Sequence, residues 1–123
     1  MSTVVSDALR KVVGKVKKGK KPDWNSYQLQ SAGWERISKI IVDALDEIKG
    51  HGVDRPLATL QELAFTESLK ADSAENKKTW PLHTVALWLT NTRMLADQYT
   101  ETKNDDLKEV MKKRGLLKVK RRR

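Results

Sequence analysis

The sequence predicts an all-α fold, a compact single-domain bundle of about five helices over residues 1–123. Three observations predict it. Apolar side chains recur with the 3.6-residue period of a helix in five separate stretches. Glycine, proline or a polar run separates those stretches. No stretch alternates with period two for long enough to require a sheet, and no internal repeat is present. The length suits one hydrophobic core, and helices joined by short breaks close most simply into a bundle.

The first helix is expected over residues 3–18. Val4, Val5, Ala8, Leu9, Val12, Val13 and Val16 fall on one stripe, and Arg10, Lys11, Lys15, Lys17 and Lys18 fall off it. Ser2 or Thr3 can cap its start. Its valines and Gly14 are weak helix formers, so the last turn is expected to fray or extend. A loop follows from Lys18 to Asn25, marked by Gly19 and Pro22. The second helix should begin near Tyr27 or Ser31 and run to Lys49, carrying Trp34, Ile37, Ile40, Ile41, Ala44, Leu45 and Ile48. Gly50 and Gly52 should end it. Asp54 reads as the cap of a third helix with Pro56 in its first turn. Leu57, Leu60, Leu63, Ala64 and Phe65 form that helix's stripe. Lys70 to Lys78 is polar and reads as a loop or short capped turn. The fourth helix, Thr79 to Leu95, is the most apolar and should be central: Leu82, Val85, Ala86, Leu89 and Met94 face inward, and Leu87 and Trp88 widen the apolar surface. Asn104 can cap a fifth helix that turns Leu107, Val110, Met111 and Leu117 inward and ends near Gly115 or continues into the basic tail.

Charge is the other strong signal. The net charge is +9, and it is unevenly placed. Residues 1–22 carry seven basic side chains against Asp7 alone, and residues 108–123 carry nine against Glu109 alone, while the stretch between them is acidic. The domain thus has a basic N-terminal helix and loop (about 1–22) and a basic C-terminal tail (about 112–123). This layout suits a chain that uses its ends on a polyanion. The plainer alternative is that charged ends only keep a small domain in solution. The candidate polyanion-binding residues are Lys11, Lys15, Lys17, Lys18, Lys20 and Lys21 at one end. At the other they are Lys112, Lys113, Arg114, Lys118, Lys120, Arg121, Arg122 and Arg123. Trp24 follows the lysines. It can pack beneath the loop, stack on a base or sit at a membrane interface. Trp34 and Trp88 lie within helical stripes and read as core.

Other chemistries find little support. The chain has no cysteine, so disulfides and thiolate metal sites are excluded. His51 and His83 have no metal-ligand spacing around them; His51 reads as an exposed turn residue and His83 as a structural one. Asp43, Asp46 and Glu47 read as a solvated face rather than an acid–base pair. "GKVKKGK" lacks the spacing of a phosphate-cradling loop, and no strand precedes it. No enzyme, metal or cofactor is expected. No apolar run approaches the ~18–20 residues of a membrane span, and no secretory leader is recognisable, so membrane contact is expected to be peripheral.

The order of "ALRKVVGKVKKGKK", "LQSAGWERISKIIVDAL", "LATLQELAFTESL", "PLHTVALWLTNTRML" and "DDLKEVMKKR" resembles retroviral matrix domains, especially those of lentiviruses. Those domains place a lysine-rich loop after a short first helix, then a tryptophan-bearing second helix, a shorter third, a central apolar fourth and a fifth with a basic end. The resemblance implies a viral structural protein of the Gag type, used in particle assembly. Lys11, Lys15, Lys17, Lys18, Lys20 and Lys21 would meet acidic phospholipid head groups, and RNA through the same patch. It implies a place in the virion and host cytoplasm, peripheral at membrane, with homo-oligomers expected. "MSTVVS" lacks the glycine that N-myristoylation requires, so binding would rest on charge and apolar contact. "KVKRRR" reads as a natural basic terminus rather than a cut between Gag domains. That favours the first alternative: a free-standing viral nucleic-acid-binding protein of nucleocapsid or silencing-suppressor type, with RNA ahead of DNA. The second alternative is a protein–protein interaction module whose tail acts as a nuclear address.

Overall fold

Five helices pack around one core in the computed structural model, which describes residues 3–22, 29, 33–73, 76 and 78–116. They are α1 (Thr3–Lys17), α2 (Trp34–Gly50), α3 (Pro56–Lys70), α4 (Trp80–Thr102) and α5 (Asp105–Lys113). The all-α single-domain bundle expected from the pattern is what forms, and the described residues contain no strand. Helix α4 touches all four others. The core joins Val5, Leu9, Val12 and Val16 of α1, Trp34, Ile37, Ile41 and Ile48 of α2, Leu60 and Ala64 of α3, and Val85, Trp88 and Leu89 of α4. Each such aliphatic side chain removed from water contributes about 1.5–3 kcal/mol, which is what offsets the entropy of ordering the chain. Trp88 is fully buried, and its indole Nε1 donates to Ser38 Oγ at 2.8 Å, so its polar edge is satisfied across α4 and α2.

Several element ends differ from expectation, each for a physical reason. The last turn of α1 stays helical despite Gly14, because Val12 and Val16 are buried and tertiary packing outweighs weak propensity. Tyr27 and Ser31, the expected starts of α2, lie outside the described residues; the described helix begins at Trp34, behind Gly33 at φ 100°, a backbone conformation that side chains resist. Its end runs through Gly50. Gly52 N–H donates to Lys49 and Val53 N–H to Ile48, a Schellman closure that needs the left-handed residue Gly52 supplies. Gly115 does the same for α5, with Gly115 N–H on Lys112 and Leu116 N–H on Met111. Arg55 rather than Asp54 occupies the cap position of α3, with Pro56 first in the helix. Helix α4 continues seven residues past Leu95, because nothing from Ala96 to Thr102 breaks it; the pattern stopped only because that stretch is polar. Two expected core residues face outward: Met94 is 58% exposed and Phe65 45% exposed. Asn104 caps α5 as expected, its side chain accepting from Asp106 N–H at 2.8 Å and Leu107 N–H at 3.3 Å. Leu117 lies outside the described residues.

Candidate polyanion-binding surface

Burying one stripe of α1 forces its charges outward. At 100° per residue, Val5, Ala8, Leu9, Val12 and Val16 occupy the core-facing arc. Arg10 and Lys17 then mark one edge of the solvent arc, and Lys11 and Lys15 mark the other. Lys18 continues the row as the chain leaves the helix. Lys11, Lys15, Lys17, Lys18, Lys20 and Lys21 are all exposed, so six of the sequence-derived candidates share one helix and the loop that follows it. Pro22, further along that loop, is buried.

The charges are not all equivalent. Lys11 pairs with Glu47 of α2 at 3.8 Å, with both side chains half or more exposed, and Arg10 pairs with Asp7 one turn away. Exposed pairs of this kind contribute little to stability and compete weakly with a stronger anion. Lys15, Lys17, Lys18 and Lys20 project from the last turn of α1 and the loop, where no acidic side chain interrupts the run.

Arg36 is a cation that pattern reading left out. It stands in the first turn of α2 and is exposed, and its guanidinium crosses to the end of α1. Nη1 donates to the Lys15 carbonyl at 3.0 Å and Nη2 to the Val16 carbonyl at 2.9 Å. The contact spans twenty residues of chain, so no local spacing announces it. The one trace in the sequence is Gly19, whose missing side chain leaves room for the guanidinium.

The C-terminal candidates separate. Lys113 is exposed. Lys112 pairs with Glu109 at 3.5 Å on its own helix. Arg114 is not a surface cation at all: it is 6% exposed, and its Nη1 donates to Asn91 Oδ1 at 2.8 Å and Thr92 Oγ1 at 2.7 Å on α4. Desolvation pulls its pKa below the ordinary guanidinium value. This corrects its assignment to the polyanion set. A terminal basic run and an inward-facing helix end overlap here, and burial decides the role. Trp24, Lys118, Lys120, Arg121, Arg122 and Arg123 lie outside the described residues.

An open cavity of about 670 Å³ lies between α2 and the end of α5. Lys39, Lys113 and Arg114 line it, but so do Glu35 and Asp43, and this mixed charge does not define an anion site. His51 is exposed in its turn, and the His83 ring bonds the Asp72 carbonyl. Among the described residues no group of His, Asp and Glu side chains could hold a metal ion, and no helix is long and apolar enough to cross a membrane. What the basic surface can do chemically is neutralise phosphates at close range without reading sequence or shape.

No family model, curated protein or solved structure matches this chain.

Proposed function

We propose that the chain is a non-enzymatic viral structural protein of matrix type, which uses the helix–loop surface of α1 to dock on acidic membrane surfaces during particle assembly. The observation that carries this reading is the exposure of six lysines on one helix and its loop, next to a middle stretch, residues 23–107, that is net acidic. Each lysine near an anionic leaflet contributes about 1 kcal/mol, so a cluster of this size can hold a protein at the surface without a lipid chain. The lysines lie on an exposed helix end and loop, outside the cavity between α2 and α5. An exposed cluster of this kind suits a two-dimensional array of head groups, whereas a single-stranded nucleic acid is usually held in a groove with stacking aromatics.

The test compares two probes at matched salt: vesicles of phosphatidylcholine with and without phosphatidylserine, and a single-stranded RNA. The chain should co-sediment with the phosphatidylserine vesicles and not with the neutral ones. Changing Lys17, Lys18, Lys20 and Lys21 together to Glu should lower that binding at least tenfold. Tight RNA binding with no vesicle binding would replace this reading with that of a nucleic-acid-binding protein.

A further inference from the structure

The end of α1 is fastened from outside the helix. The last carbonyls of any α-helix lack partners within it. Here the Lys15 oxygen accepts from Lys18 N–H at 3.3 Å and the Val16 oxygen from Gly19 N–H at 3.1 Å. Both bonds are the tightened kind that closes a final turn. The Arg36 guanidinium supplies a second donor to each of the same two oxygens. Its planar fork suits two adjacent acceptors, and its charge sits at the partially negative end of the helix dipole.

Gly19 admits this group. A Cβ there would lie 2.0 Å from Arg36 Nη2 and 2.4 Å from its Cζ. The φ of Gly19 is outside the left-handed region, so the backbone itself does not demand glycine; the guanidinium does. Lys17 and Lys18 stand just before Gly19, and Lys20 and Lys21 just after it. A further cation beside this lysine-rich segment adds electrostatic repulsion, and the two carbonyl bonds act against it.

We propose that Arg36 is the positioning residue of the lysine loop and that Gly19 is the gap through which it acts. Resting on the membrane-docking reading above, the contact sets the exit of the chain from α1, so the four lysines are presented before a surface arrives. A loop ordered in advance loses less entropy on binding and binds more tightly.

Gly19→Ala is the sharpest variant, because it keeps every charge and displaces only the tip of a flexible side chain. Its affinity for phosphatidylserine vesicles should fall about three- to tenfold, the cost of ordering about one further side chain on binding. The amide of Lys18 should exchange with solvent faster, while amides in α4 keep their protection. Arg36→Lys, which retains the charge but not the fork, should behave the same way. Wild-type affinity in Gly19→Ala, with the loop lysines still required, would overturn the positioning role and leave the docking surface standing. Lost protection throughout α4 would also overturn it, since the effect would then be general unfolding. If reversing the four lysines leaves vesicle binding intact, the docking surface itself fails, and the positioning role with it.

Discussion

The two basic regions are alike in sequence and unlike in structure. Residues 11–21 and residues 112–114 both read as runs of positive charge bordering a helix. In the first, the apolar stripe of α1 takes up the inward positions and every lysine is left in water. In the second, Arg114 is the inward position. Its guanidinium ties α5 to Asn91 and Thr92 of α4, and Lys112 pairs with Glu109. The difference teaches that charge density identifies a surface only where another part of the same segment supplies the burial. Where a helix has few apolar residues to bury, as α5 does, a cation is drawn in to serve as a fastener.

The largest expected effect falls on the scaffold both regions share. Leu89 is fully buried on the central helix. Leu89→Ala should cost about 2–5 kcal/mol of stability through lost burial and a residual cavity, read by chemical denaturation. An unchanged unfolding midpoint would mean that α4 does not organise the core. Arg114→Met comes next. It removes charge-assisted bonds and leaves Asn91 and Thr92 short of a donor, at about 1.5–3 kcal/mol. Vesicle affinity should stay unchanged, and a loss of affinity at full stability would return Arg114 to the binding surface. Reversal of Lys17, Lys18, Lys20 and Lys21 to Glu should have the opposite profile. Binding to acidic vesicles should drop at least tenfold, a change of at least about 1.4 kcal/mol, with the melting temperature within a degree or two. Asn104→Ala should cost about 1 kcal/mol by uncapping α5, measured as a small fall in unfolding midpoint.

How far the sequence alone could be read follows from the same contrast. Helix existence was legible wherever an apolar stripe ran, as in Trp34, Ile37, Ile41, Leu45 and Ile48 of α2. Helix extent was not legible where the stripe stopped, so the polar end of α4 was missed. Met94 and Phe65 show the limit of hydrophobicity as a guide, since α3 and α4 had apolar residues to spare. The loop lysines could be read as a surface because exposure is the default for lysine. Arg36 could not, because its partners are two backbone carbonyls far away in the chain, and backbone carbonyls carry no sequence signal. Arg114 was misread because a buried arginine and a solvated one look the same in a basic run.

The most direct test of the account sets the two regions against each other in one titration. Two variants that remove positive charge are compared with wild type for binding to phosphatidylserine vesicles at fixed ionic strength. One changes Lys17, Lys18, Lys20 and Lys21 to Gln, and the other changes Lys112 and Lys113 to Gln. If affinity follows the exposed charge of the α1 surface, the first variant should lose at least about tenfold, and the second should stay within about twofold of wild type. Equal losses in the two variants, or a larger loss in the second, would contradict the claim that the helix–loop end of α1 is where this protein meets its polyanion.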